Sequence, residues 1–175
     1  MLAAYGYIDE LVAAGIDVLA PGQHKHLLEL NTLVLCGVSK VRRASHAGHL
    51  EATEQRFYDE RAAGVQDIVE WYARHAGEST WSRAAGLYVR MLSTPQLFIE
   101  GNHRTGALVM SYILLRDGRP PFVLSVAYAA TYFQLSTTIR HLHKRSPIAL
   151  FRLPAIRRRL ASQLEAQSEP RYLIA

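Results

Sequence analysis

A chain of 175 residues is long enough for one domain with a substantial core and too short to require two. Hydrophobic residues make up 49% of it and charged residues 20%, which excludes an intrinsically disordered protein. The net charge of +5 and a pI near 9.6 favour polyanionic ligands, a class that includes nucleotides, nucleic acids and acidic protein surfaces.

No targeting or membrane-spanning segment is expected. The first residues lack a basic start and include Asp9 and Glu10, unlike a secretory signal. Residues 120–139 contain no charged side chain, but they open with two prolines and are interrupted by serine, threonine and glutamine, so a buried helix is favoured over a bilayer span. The single cysteine, Cys36, lies in an apolar run and is interpreted as a buried small hydrophobe in a cytoplasmic protein.

Apolar residues at helical spacing predict a short helix over residues 5–14, with Gly15 as its C-cap. The leucine-rich stretch over residues 27–35 predicts a second helix that ends at Gly37. Residues 38–61 are mostly charged and polar, which indicates a solvent-facing excursion.

Helical spacing returns over residues 65–72, and Ser79 or Thr80 is the predicted N-cap of a helix that runs to Leu92. Residues 106–115 are apolar on nearly every side, which predicts the central and most buried helix.

A further helix or two should follow through Arg140, and a terminal helix is predicted from Ala155 to about Gln167, with the arginines at 157–159 at its start. These elements predict one all-α domain over residues 1–175, with its core at about 24–145.

The chemically distinctive stretch is residues 96–105, which read Gln-Leu-Phe-Ile-Glu-Gly-Asn-His-Arg-Thr. If a helix begins near His103, the N–H groups of its first turn have no intrahelical partner and lie at the positive end of the helix dipole. Arg104 adds a planar fork for a phosphate oxygen, and Glu100 adds an oxygen ligand for the magnesium that a polyphosphate brings. The stretch therefore predicts an anion site suited to ATP and Mg²⁺.

The run Phe-x-Glu-Gly-Asn-x-Arg at residues 98–104 resembles the signature of the Fic (filamentation induced by cAMP) family, His-x-Phe-x-Asp/Glu-Gly-Asn-Gly-Arg-x-x-Arg. The resemblance implies a Fic-like helical bundle around a central motif helix, and transfer of AMP from ATP to a Ser, Thr or Tyr hydroxyl of a target protein. It also implies that Glu100 holds magnesium and that Gly101, Asn102 and Arg104 hold the nucleotide. Thr105 is added to the nucleotide-binding residues as the hydroxyl of the anion site.

Three positions depart from the family signature: Gln96 replaces the His, His103 replaces the second Gly, and Ala107 replaces the second Arg. A glutamine amide cannot accept a proton near neutral pH, so the resemblance implies an impaired adenylyltransferase. His103 is the alternative base, since the helix N-terminus favours neutral imidazole, although its β-carbon would narrow the loop. A nucleotide- or protein-binding pseudoenzyme, and transfer of another phosphate-containing group, remain alternatives.

The resemblance further implies that residues 38–61 form a flap, with a short hairpin, on which a protein target docks by strand addition. Nucleic-acid binding through Arg42, Arg43 and the arginines at 157–159 rests on charge alone and is the weaker alternative. No membrane partner is expected, and a homo-oligomer is left open. The chain has no Ser or Thr followed by Glu four residues later, so the family's self-inhibition through such a motif is not expected.

Overall fold

A computed structural model of the chain describes residues 2–62 and 64–173. Over these residues the fold is all-α, as predicted, and without strands; an isolated bridge joins Thr94 and His143. The α-helices of the described residues are α1 (Leu2–Ala13), α2 (Lys25–Cys36), α3 (Lys40–Ser45), α4 (Ala47–Tyr58), α5 (Val65–Arg74), α6 (Thr80–Leu92), α7 (Asn102–Arg116), α8 (Val126–His141) and α9 (Pro147–Ala166).

The core is built around α7, which packs against α1, α2 and α6. Gly106 and every residue from 108 to 114 are buried, which confirms the central helix predicted from the apolar run. Helix α6 is buried to a similar extent and also packs against α9. Gly106 permits close contact between α6 and α7, because a β-carbon at this position would lie 2.8 Å from the ring of Tyr88.

Local signals in the sequence mark several helix ends correctly. Gly37 has a φ of 64°, and its N–H donates to the carbonyl of Leu33, which closes α2. The hydroxyl of Ser79 accepts from the N–H of Ser82 at 3.3 Å and caps α6. Cys36 is buried, as expected of a small hydrophobe.

The predicted hairpin flap over residues 38–61 is wrong, because this segment forms α3 and α4. A narrow buried stripe accounts for the difference: Thr53 and Phe57, four residues apart on α4, are both buried. The Phe57 ring stacks on Phe98 with centroids 5.6 Å apart. The segment is therefore attached to the loop that precedes α7, and strand addition has no strand to use there.

The predicted start of the terminal helix is also wrong, because α9 begins at Pro147. The hydroxyl of Ser146 accepts from the N–H of Ala149 at 3.3 Å, and a proline is well suited to the first helical position. Pro154 lies inside α9 at a cost of about 3 kcal/mol, which the packing of α9 against α6 offsets. The arginines at 157–159 therefore lie within α9 and not at its start.

Residues 120–139 contribute most of α8, of which one face is buried. Tyr132, Leu135 and Ile139 lie on that face at helical spacing, whereas Phe133 is exposed. Nowhere in residues 2–62 and 64–173 does a helix have both the length and the hydropathy needed to cross a bilayer.

A buried group of charges joins α5, α6 and the segment that follows α8. One oxygen of Asp67 accepts from Arg90 Nε at 2.8 Å and from Lys144 Nζ at 3.3 Å, and its other oxygen accepts from Arg90 Nη2. The Lys144 side chain is fully buried, and burial lowers its pKa to about 8 although Asp67 opposes the shift. One carboxylate is thus shared by two cations.

The buried Lys144 makes the free energy of unfolding depend on pH in a defined direction. The folded chain releases this proton near pH 8 and the unfolded chain near 10.5, so the unfolded state binds more protons in between and stability rises with pH. We expect a gain of about 1 to 2 kcal/mol between about pH 7 and 9.5 in urea unfolding. Burial raises the pKa values of Tyr72 and Tyr88 to about 12. These tyrosines ionise in the unfolded chain near pH 10 but stay protonated in the folded chain, so they lower the free energy of unfolding only above about pH 10.

The control for this measurement is Lys144→Met, which removes the titrating group and keeps most of the side-chain volume. The rise in stability should be absent from the variant. A rise of equal size in both proteins would show that Lys144 does not carry the effect.

Candidate functional site

The loop over residues 96–101, here called the motif loop, joins the end of α6 to α7 and is closed by the side chain of Asn102. The Asn102 Oδ1 atom accepts from the N–H of Phe98 at 2.9 Å, and its Nδ2 atom donates to the Phe98 carbonyl at 2.8 Å. Asn102 is only 4% exposed. The sequence predicted that Asn102 contacts phosphate, but in the structure its amide stabilises the loop.

A second amide holds the loop from the side of α2. Asn31 Nδ2 donates to the carbonyl of Glu100 at 2.9 Å and to the hydroxyl of Thr105 at 3.0 Å. Gly101 has a φ of 78°, and a β-carbon there would lie 2.9 Å from Asn31 Nδ2. Through its hydrogen bond with Asn31, the Thr105 side chain lies against α2, and it is buried from solvent. Asn31 was not predicted as a site residue; its one signal in the sequence is an amide within a leucine-rich helix.

Gln96 is held at both its side chain and its backbone. The side-chain Nε2 donates to the carbonyl of Leu92 at 3.1 Å, and Oε1 lies 3.4 Å from Asn102 Nδ2. The Gln96 carbonyl accepts from Arg56 Nε at 3.0 Å and from Arg56 Nη2 at 2.6 Å. Arg56 thus fixes the start of the motif loop from α4, a role that no local pattern in the sequence predicts.

The half-buried imidazole of His103 ends a chain of hydrogen bonds. Ser136 donates its hydroxyl proton to the carbonyl of Tyr132 at 2.8 Å. Tyr88 therefore donates to Ser136 Oγ at 2.7 Å, and the Tyr88 oxygen lies 3.4 Å from His103 Nδ1 with a lone pair free to accept. A proton on Nδ1 of the neutral imidazole fits this order, and that tautomer has its lone pair on Nε2. Burial, and then Arg140, lower the pKa of His103, so the neutral imidazole is favoured at neutral pH.

An open cleft of about 200 Å³ lies over the motif loop and the first turn of α7. It is lined by Gln96, Ile99, Glu100, Gly101, Asn102, His103 and Arg140. A wider opening of about 520 Å³ shares three of these residues and adds Arg56 to the wall. The two openings therefore adjoin each other near the N-terminal end of α7.

Arg140 brings a positive charge to this cleft from the last turn of α8. Its side chain is exposed and, within the described part of the chain, makes no hydrogen bond or ion pair. No spacing in the sequence could identify Arg140 as a neighbour of His103, because the two residues are brought together only by the packing of α6, α7 and α8.

Arg104 and Glu100 differ in their relation to the cleft. Arg104 Nη1 donates to the carbonyl of Val34 in α2 at 3.3 Å, and Arg104 does not line the cleft. Glu100 is exposed at the cleft rim, where a single carboxylate suits Mg²⁺ held jointly with substrate phosphates. Over residues 2–62 and 64–173, no group of three or more His, Cys, Asp and Glu side chains forms a protein-only metal site.

Of the predicted site residues, the structure brings Gln96, Glu100, Gly101, Asn102 and His103 to one cleft. The side chains of Arg104 and Thr105 are instead hydrogen-bonded to residues of α2. Comparisons of the chain with protein-family models, with curated proteins and with solved structures gave no match.

Proposed function

We propose that the protein is a Fic-like nucleotide-binding domain that holds the phosphates of ATP in the cleft over the motif loop. In this proposal it resembles protein adenylyltransferases, and its transfer of AMP to a Ser, Thr or Tyr hydroxyl is impaired. The observation that carries the proposal is that the first turn of α7 opens into a cleft that also contains a free arginine, Arg140.

Backbone donors support phosphate binding at this place. The first N–H of α7 with a backbone acceptor is that of Thr105, which donates to the Gly101 carbonyl at 2.9 Å. The N–H groups of residues 102–104 have no acceptor within the helix, and they lie at the positive end of its dipole. A phosphate is the ligand that such a helix end favours.

Arg140 compensates for the arginine that the motif lacks at Ala107. Position 107 lies one turn after His103 on the same face of α7, so an arginine there would reach the cleft. Arg140 extends into the same cleft from α8. Arg104 would join the site only by exchanging the Val34 carbonyl for a phosphate oxygen.

Glu100 is the proposed residue for the magnesium that accompanies ATP. A bound Mg²⁺ would neutralise part of the phosphate charge. The exposed carboxylate of Glu100 at the rim is free to accept such an ion, because the loop uses only its backbone carbonyl, through Asn31.

The reaction is impaired in this proposal because the position of the family's base holds an amide. Gln96 donates to the Leu92 carbonyl and has no group that accepts a proton near neutral pH. General-base catalysis contributes roughly 10²- to 10⁴-fold, so binding would persist while transfer slows by that amount.

A second candidate function is active transfer with His103 as the base. One observation favours it: the Tyr88 hydroxyl donates to Ser136, so its oxygen can accept from His103 Nδ1, and a neutral His103 in this contact would carry its proton on Nδ1. The lone pair on Nε2 is then available to a hydroxyl in the cleft that His103 lines.

The nucleotide site is tested by Arg140→Met, which should weaken ATP binding in the presence of magnesium. The loss of a hydrogen-bonded charge is worth about 1.5 to 3 kcal/mol, or roughly a 10- to 150-fold increase in Kd by calorimetry. The matched control is Arg119→Met, which removes the same charge beyond the opposite end of α7 and should leave the Kd unchanged. Equal effects of the two variants, or no binding by the wild type, would contradict the proposed site.

A further inference from the structure

The N-terminal end of α9 exposes a cluster of large apolar side chains. The exposed fractions are 62% for Ile148, 70% for Leu150 and 81% for Phe151. Single apolar side chains on a surface are common, but these three lie within about one helical turn of each other. They form one exposed apolar patch, here called the apolar tip.

The packing of α9 turns the apolar tip away from the core. Ala149 and Leu153 are buried on the side of α9 that packs against α6. Ile148 and Phe151 are three residues apart, so they share the other, solvent-facing side. The tip therefore projects into solvent.

Arginines surround the apolar tip. Arg145 lies just before it and Arg152 just after it, and both are exposed. Arg158 and Arg159 continue the positive charge along the exposed side of α9, about two turns further on. In the part of the chain that the structure describes, none of these arginines makes an ion pair. Their charges are therefore available to an anionic surface.

Acidic residues do not offset this charge. Residues 118–164 contain no Asp or Glu. Asp67 and Glu78 approach this region from elsewhere in the fold, but they pair with Lys144 and Arg157. Exposed apolar side chains and unneutralised positive charge thus occur together at one end of α9.

We propose that the apolar tip inserts into the surface of an anionic lipid bilayer. In this arrangement Ile148, Leu150 and Phe151 lie at the boundary between headgroups and acyl chains, and the arginines pair with lipid phosphates. Interfacial helices combine apolar and basic residues in this way, and each basic residue near an anionic leaflet adds to the attraction. A nucleic acid offers anions but no apolar phase, and a protein would need an acidic pocket shaped for the projecting side chains. A fluid bilayer supplies anions and an apolar phase without a preformed shape.

Contact with one leaflet needs no spanning helix. The expectation that the chain has no membrane partner rests on residues 120–139, whose prolines and polar residues are unsuited to a span, and on the lack of a secretory signal. Neither observation concerns the apolar tip, which lies beyond these residues. The inference is independent of the proposed ATP site.

The test is co-sedimentation of the full chain with lipid vesicles at pH 7. We expect binding to vesicles in which about a third of the lipid is phosphatidylglycerol to be at least roughly 10-fold tighter than binding to vesicles of phosphatidylcholine alone. Binding to the anionic vesicles should weaken as salt is added, because salt screens the arginines. No binding to anionic vesicles, or equal binding to both kinds, would overturn the proposal.

Two variants locate the contact. Phe151→Ser should weaken binding to the anionic vesicles by roughly 10-fold, because it removes the most exposed apolar side chain of the tip. Arg152→Gln should weaken it by roughly 5-fold. The matched controls make the same changes at exposed positions outside the tip, Phe133→Ser in α8 and Arg119→Gln after α7, and should leave binding unchanged. An effect of Arg152→Gln without an effect of Phe151→Ser would reduce the contact to charge alone and overturn insertion.

A tryptophan in the apolar tip reports its depth directly. The fluorescence of Phe151→Trp should shift to the blue when anionic vesicles are added, and lipids brominated on their acyl chains should quench it. Phe133→Trp is the control and should show neither change beyond that of the wild type, which has Trp71 and Trp81. The same result for both variants would refute insertion through the tip.

Discussion

The substitution Gln96→His is expected to raise AMP transfer from ATP by roughly 10²- to 10⁴-fold over the wild type. The change places an imidazole where the motif has its base, at the edge of a cleft that already contains the first turn of α7 and Arg140. The two side chains are of similar size and position 96 is half-buried, so the fold should be retained. The hydrogen bond from Gln96 to the Leu92 carbonyl is all that the exchange removes from α6.

Transfer is measured as self-labelling with ATP that carries a radioactive α-phosphate, in the presence of magnesium. Gln134→His is the matched control, because it makes the same substitution on the exposed side of α8. Its labelling should equal that of the wild type. His103→Ala, made in both the wild type and Gln96→His, separates the two candidate bases.

The outcomes distinguish the proposed functions. Efficient labelling by the wild type that His103→Ala abolishes, with no gain from Gln96→His, would identify His103 as the base and contradict the impaired enzyme. Binding of ATP without labelling in wild type and Gln96→His would make the domain a binding module. In that case the β-carbon of His103, or the lack of an arginine at position 107, would be the physical cause of the missing AMP transfer.

The substitution Asp67→Asn should lower the free energy of unfolding by about 3 to 5 kcal/mol. The neutral amide keeps the shape of the side chain but leaves Arg90 and the fully buried Lys144 without their shared counter-charge. For a chain of this length the loss corresponds to a decrease in Tm of roughly 6 to 20 °C. Thermal and urea unfolding at pH 7 measure it.

Glu70→Gln is the control, because it makes the same chemical change on the same helix at an exposed ion pair with Arg74. It should cost well under 1 kcal/mol. In a double-mutant cycle, Lys144→Met should recover part of the stability lost in Asp67→Asn, since it removes one of the two uncompensated charges. A cost for Asp67→Asn no larger than that for Glu70→Gln would show that the charge group is not buried.

Local patterns in the sequence were sufficient to determine the all-α class and most helix positions. The burial of α7 follows from apolar residues on nearly every side, and the ends of α2 and α6 follow from Gly37 and Ser79. These features depend on residues within one or two turns of each other, so a single stretch of sequence contains the whole signal. The start of α7 next to Gly101 was predictable for the same reason.

Features that depend on contacts between distant residues were decided by the tertiary structure. Residues 38–61 form helices because Phe57 is buried against Phe98, and the motif loop is held by Asn31 and Arg56 from other helices. Helical spacing shows which residues share a face but not which face meets which neighbour. The prediction of a phosphate site at residues 96–105 therefore rests on local sequence alone. The packing of the helices decides that Arg140 lines the cleft and that Arg104 is hydrogen-bonded to α2. It also decides that Lys144 and Arg90 share the single carboxylate of Asp67.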